Sequence, residues 1–173
     1  LSDPRRVFLA LWPDEATRGM LDEEAQRLGG PGRAVPKAHL HLTLAFAGTI
    51  PATQADCIGQ GITTLKGEAF TLVLDQLGFF KGARVSWIGP SETPSALSEL
   101  AVRARRLAEA CGAAPEGPPF RPHITLRRFA RAPGREHPER PIHWDADEVA
   151  LIESGQGGNP GPYKVIARTR LSS

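Results

Sequence analysis

The stretch His39-Leu40-His41-Leu42-Thr43-Leu44-Ala45-Phe46-Ala47 alternates without a break. His39, His41, Thr43 and Ala45 fall on one side of an extended chain, and Leu40, Leu42, Leu44 and Phe46 fall on the other. The pattern predicts a strand with its leucine face on a core and its polar face toward a cleft. A second stretch, Pro122 to Phe129, carries the same theme in His123-Ile124-Thr125-Leu126. The predicted pair of strands therefore spans 40–47 and 122–129. The motifs lie about eighty residues apart, too far for a solenoid repeat but compatible with an internal duplication.

Working outward, Val7 to Leu11 is an apolar run closed by Trp12-Pro13 and reads as a strand buried on both faces. A helix over 14–28 follows, with Ala16, Met20, Leu21, Ala25 and Leu28 as its stripe and Gly29-Gly30 as its end. After the first motif, Ala55, Ile58, Ile62 and Leu65 recur at helical spacing. Segments 70–80 and 84–88 read as strands joined by a hairpin at Lys81-Gly82-Ala83. The strongest helix carries Leu97, Leu100, Ala104, Leu107, Ala108 and Cys111 and ends at Gly112. Ala132 to Pro141, with its prolines and charges, reads as a mobile loop. Strands at 149–153 and 163–171 around a glycine-rich turn finish the chain.

The composition is that of a folded globular protein: 173 residues, 40% hydrophobic, 23% charged and a formal net charge of +2. That length suits one domain or two small lobes sharing a cleft. The two cysteines, Cys57 and Cys111, are too few for a disulfide framework and are expected to be buried free thiols in a reducing compartment. No apolar run reaches membrane-spanning length and the first six residues hold no signal-peptide core, so the expected setting is the cytoplasm. Arginines 121, 127, 128, 131, 135 and 140 cluster late in the chain. A solvated basic loop is the commoner meaning of such a run, and steering of an anionic ligand is the sharper one.

The matched motifs carry the chemistry. A histidine titrates near neutrality, and a threonine hydroxyl beside it can donate to a phosphate oxygen. Two such strands facing across a groove would place an acid and a base on opposite sides of one phosphorus atom, as in-line displacement requires. Histidines elsewhere, His39, His137 and His143, read as satisfied or exposed residues. A metal site seeded by His39 and His41 with His123 is the weaker alternative, since threonine is a poor zinc ligand and no carboxylate lies close in sequence. Charge building on phosphorus calls for a cation. Strict alternation puts Arg127 on the face of His123 and Thr125, and Arg128 reaches that face only if the strand bulges, twists or ends there. No aromatic is assigned to base stacking: Phe46 alternates into the core, Trp87 lies in an apolar strand and Trp144 in a loop.

These motifs, with RRVFLALWP (5–13), RVSWIG (84–89) and FRPHITLRR (120–128), resemble the 2H phosphoesterase superfamily, specifically the bacterial RNA 2′,3′-cyclic phosphodiesterases, also called 2′-5′ RNA ligases. The likeness covers most of the chain and weakens after Ala130, where Ser154 and Tyr163 fall near family positions. It implies one bilobal α+β domain over 1–173, with two antiparallel sheets forming a central cleft, helices packed outside and a pseudo-two-fold relation between lobes. It also implies opening of terminal RNA 2′,3′-cyclic phosphates to 2′-phosphates without metal or other cofactor, and reversible 2′-5′ joining. Family pattern makes His41 the proton donor, His123 the acceptor, Thr43 and Thr125 phosphate-holding residues, and Arg128 rather than Arg127 the cation. Expected partners are RNA ends, tRNA fragments among them, or small cyclic nucleotides, acted on by a monomer. A noncatalytic RNA-end binding module, or a related enzyme of small cyclic nucleotides, is the alternative.

Overall fold

The computed structural model describes residues 3–115, 117–155 and 161–172. Its elements are β1 (Arg5–Leu11), α1 (Glu15–Leu28), β2 (Arg33–Ala34), β3 (Leu42–Ile50), α2 (Ala52–Gly61), β4 (Phe70–Leu74), β5 (Gln76–Phe80) and β6 (Val85–Gly89). They continue with α3 (Ser95–Ala110), β7 (Ile124–Arg128), β8 (Ile142–Ala146), β9 (Glu148–Ser154) and β10 (Lys164–Arg170). One four-stranded sheet runs β10-β9-β1-β3 and another β2-β7-β6-β5, while β4 and β8 form a separate pair. The pairings between these strands are antiparallel.

The chain is α+β and bilobal, as the family resemblance implied, but its lobes are not its sequence halves. Helix α1 leaves the first sheet and packs against β7 and β8, whereas α3 crosses back to pack against β3. Each motif strand is thus backed by a helix from the other part of the chain. Strand β1 shows why the first sheet can serve two masters. Val7, Leu9 and Leu11 enter the main core, while Phe8 and Ala10 join Ala150 and Ile152 in a second apolar cluster on the opposite face.

Several expectations need correction. The motif strands occupy 42–50 and 124–128 rather than 40–47 and 122–129, and His39 ends a 3-10 turn, Lys37–His39, instead of extending β3. The segment 70–80 is two strands in different sheets, split at Asp75, whose carboxylate accepts from the Ser91 amide at 2.8 Å and hydroxyl at 2.7 Å. Strand β8 has no counterpart in the sequence reading, although Ile142, Trp144 and Ala146 point inward at period two. Met20 is exposed, and the buried side of α1 carries Arg18 and Glu24 instead. The loop 132–141 is irregular yet anchored: Arg135 meets the buried Glu24 carboxylate at 2.6 Å, and Leu77 donates to the Glu136 carbonyl at 2.8 Å. Most of the glycine-rich turn lies outside the described residues.

The cysteines are paired rather than free. Helices α2 and α3 bring Cys57 and Cys111 to a Cα separation of 5.7 Å, within bridging distance, and the disulfide joins positions 54 residues apart. Cys57 is exposed, off the inward stripe of α2, so helical packing placed it where a partner could reach it. The free-thiol argument for a reducing compartment therefore falls. Among the described residues no helix is long and apolar enough to cross a membrane. Closing a loop of this length stabilises the fold by about 4 kcal/mol in the chain-entropy account. Reduction, or the Cys57→Ser variant, should lower the midpoint of thermal unfolding by on the order of 10 °C. Identical melts of oxidised and reduced protein would show that the link contributes nothing.

Candidate active site

Both motifs open onto one cavity of about 400 Å³ whose walls include His39, His41, Thr43, Phe46, His123, Thr125, Arg128, Ser154 and Tyr163. Leu42, Leu44, Ile124 and Leu126 are buried behind them, as alternation from each histidine requires. Beyond the threonines alternation fails, and fails the same way twice. Along β7, Thr125 pairs with Trp87 and Arg127 with Ser86, leaving Leu126 as an extra residue. Along β3, Thr43 pairs with Ala10 and Ala45 with Leu9, leaving Leu44 extra. Each is a β-bulge, and each inverts the faces that follow.

The bulge after Thr125 separates the two rival arginines. Arg127 turns inward and is buried, its guanidinium donating to the carbonyls of Ala25 at 3.2 Å and Gly32 at 3.3 Å. Arg128 turns to the cavity. The bulge after Thr43 likewise brings Phe46 to the cavity with 38% of its surface exposed, which corrects its assignment to the core. Setting the two motifs in register would have exposed this, because Phe46 and Arg128 both stand five residues after their histidine.

The histidine rings are held by one device used twice. His41 Nδ1 lies 2.6 Å from the His39 carbonyl oxygen, and His123 Nδ1 lies 2.7 Å from that of Arg121. A carbonyl oxygen only accepts, so each Nδ1 carries a hydrogen and donates it, and each neutral ring keeps its free lone pair on Nε2. His41 Nε2 lies 3.0 Å from Thr43 Oγ1, which donates to it while the ring is neutral.

The surroundings of both rings disfavour a positive charge. His41 stacks on Phe8 at 4.6 Å and meets Tyr163 edge-on at 5.7 Å. Burial among these rings pushes its pKa down to about 4, against the help of the His39 carbonyl, and the charges of Arg128 and Arg18 push the same way. Burial also lowers His123, which packs edge-on to Phe80 at 4.8 Å and Trp87 at 6.3 Å. Trp87 lies flat over Gly78 on the paired strand, where any Cβ would meet the indole at 2.1 Å.

His39 is more than a bystander. Its ring stacks on Tyr163 at 3.9 Å, and its carbonyl orients His41. Arg18 holds the turn that presents it by donating to the Lys37 carbonyl at 2.9 Å. His137 and His143 lie outside the cavity walls. Phe8, Tyr163, Phe46 and Arg6, whose guanidinium sits 5.0 Å from the Phe46 ring centroid, line the cavity without having been assigned from sequence. Among the described residues no three His, Cys, Asp or Glu side chains converge as metal ligands would.

Comparison with known proteins fits this geometry. The family model described as the 2′-5′ RNA ligase superfamily matches residues 13–158. The chain belongs to that superfamily. It is 35% identical over 132 residues to an RNA 2′,3′-cyclic phosphodiesterase of Escherichia coli, covering 75% of each chain. It is 32% identical to one of Thermus thermophilus, covering 96% of this chain and 90% of that relative. The crystal structure of Escherichia coli LigT complexed with 3′-AMP superposes with a TM-score of 0.88 at 29% identity, covering 99% of this chain and all of that one.

The tautomers and the charge balance can be checked directly. Ring 15N spectra at pH 7 should show both histidines neutral with hydrogen on Nδ1. The His41 ring should titrate near pH 4 in the empty protein. Inorganic phosphate should move that titration upward, since a bound anion offsets the neighbouring arginine charges. An ordinary midpoint near 6.5, unmoved by phosphate, would contradict this description.

Proposed function

We propose that this chain opens terminal RNA 2′,3′-cyclic phosphates to 2′-phosphates by two-histidine acid and base catalysis, its two lobes over residues 1–173 acting as one unit. The observation that carries the reading is the matched pair of rings, each locked by a carbonyl two residues upstream and each presenting Nε2 to a cavity that also holds Arg128. The relatives' phosphodiesterase names support it.

In the proposed step water attacks phosphorus opposite the 3′ oxygen. His123 Nε2 takes the water proton as the new P–O bond forms. The P–O3′ bond breaks, and His41 Nε2–H protonates the departing 3′ oxygen, leaving the phosphate on O2′. Thr43 and Thr125 hydrogen-bond the nonbridging oxygens, and Arg128 offsets charge on the pentacoordinate phosphorus. The resting His41 is too weak a base to hold the proton it must donate. Binding the phosphate anion supplies the missing stabilisation of the imidazolium, so the acid is charged in the complex that uses it. This ties protonation to substrate. The donor and acceptor assignment follows the superfamily pattern, since the two rings are held alike.

A 5′ hydroxyl in place of water would form a 2′-5′ bond by the same displacement, and reversal would exchange acid and base. Phe46, exposed beside Arg6, offers a stacking surface for the terminal base. Single-stranded RNA ends, tRNA fragments among them, met by a monomer, complete the proposal.

His41→Ala and His123→Ala should each lower turnover of a cyclic-phosphate-ended oligonucleotide by at least about a thousandfold, with EDTA without effect on the wild type and 31P NMR showing only 2′-phosphate. Near-normal turnover by either variant would sink the mechanism, and loss of activity in EDTA would point to a metal hydrolase. The two arginines should part company. Arg128→Ala should keep its melting temperature and lose about a hundredfold in kcat/KM, whereas Arg127→Ala should destabilise the fold by about 2 kcal/mol through its orphaned carbonyls. The reverse pattern would make Arg127 the phosphate cation.

A further inference from the structure

Next to Arg128 the chain exposes a feature that opening a cyclic phosphate does not require. Phe129 has 53% of its surface in solvent, and its backbone is left-handed, with φ +53°. Arg84 is left-handed too, with φ +57°. The two residues face each other at one end of the β6–β7 pair, where Val85 pairs with Arg128 and the Ala130 amide donates to the Arg84 carbonyl at 2.9 Å. Glycine or asparagine would take these conformations with less strain. A third backbone adjustment converges on the same place. Gly32, at φ +85°, lets β2 close on β7, where a Cβ would stand 2.1 Å from the Arg128 carbonyl oxygen.

The side chains assembled there share one chemistry. The Arg33 guanidinium lies 5.5 Å from the Phe129 ring centroid and that of Arg84 lies 5.9 Å away. Among the described residues neither arginine has a carboxylate partner. A solvent-facing aromatic ring between unneutralised guanidinium groups offers bases a stacking face and a sugar-phosphate backbone its counter-charge. Arg33 and Phe129 also border the histidine cavity, so a strand could continue from one place to the other.

We infer that Phe129, Arg33 and Arg84 form a subsite for a further nucleotide of single-stranded RNA, upstream of the cyclic end, which makes the protein favour oligonucleotides over cyclic mononucleotides. The inference rests on the phosphodiesterase reading and goes beyond it by setting substrate length. A terminal nucleoside cyclic phosphate alone would leave this surface unused.

The test compares kcat/KM on a short RNA ending in a 2′,3′-cyclic phosphate with that on the cyclic mononucleotide of the same terminal base. Wild type should favour the oligomer by about tenfold or more at about 50 mM salt and lose most of that advantage at about 500 mM. Phe129→Asn and Arg84→Asn, which introduce a residue tolerant of the left-handed backbone, should each lower the oligomer-to-mononucleotide ratio by about fivefold or more. Equal wild-type values on the two substrates overturn the subsite, as does an unchanged ratio in both variants. Absence of wild-type turnover on both substrates overturns the phosphodiesterase reading instead. Fluorescence anisotropy of a single-stranded oligomer then decides the subsite: weaker binding by both variants upholds it, and unchanged binding overturns it.

Discussion

One extra residue in each of two strands organises the candidate site. A strand that alternates strictly can show a cleft only every second side chain, and after His and Thr the next on that face would be Ala45 in β3 and Arg127 in β7. The bulges at Leu44 and Leu126 place two successive residues inward and return the face to Phe46 and Arg128. The core gains Ala45 and the buried Arg127, and the cavity gains an aromatic ring on one side and a cation on the other. The two motif strands thus share a backbone irregularity at equivalent places, while the residues that follow it have diverged in chemistry.

Around this frame the rings are oriented by backbone rather than by side chains. A carbonyl two residues upstream, rather than a carboxylate, fixes each histidine through Nδ1. Aromatic packing then lowers the proton affinity of both. In the proposed mechanism this leaves the substrate's own phosphate as the partner that charges the acid. A carboxylate partner would do the opposite, holding the imidazolium ready before substrate arrived.

The interleaving of the lobes explains why the two motif strands can be held in a fixed relation. With α1 packed on the lobe of β7 and α3 on the lobe of β3, the chain crosses between the lobes on the way into α1 and again on the way into and out of α3, and β3 and β7 touch directly. The disulfide between α2 and α3 adds a covalent tie on the lobe of β3. Glu24 does comparable work on the other side, buried beneath Arg27 and Arg135 and so fastening the loop 132–141 to α1.

The sequence by itself determined the matched histidine-threonine strands, the apolar faces behind them, the principal helices and the superfamily likeness, because each is written in residues a few positions apart. It also stated the condition on which Arg128 would reach the cavity. Whether that condition held depended on how β7 pairs with β6, a relation between residues some forty positions apart that no local period encodes. The same limit hid Phe46 behind the bulge in β3, Tyr163 stacked on His39 from 124 positions away, and the partner of Cys57. Alternation is a property of one strand. Register, bulges and contacts across the cleft are properties of pairs, and only the packed chain selects among them.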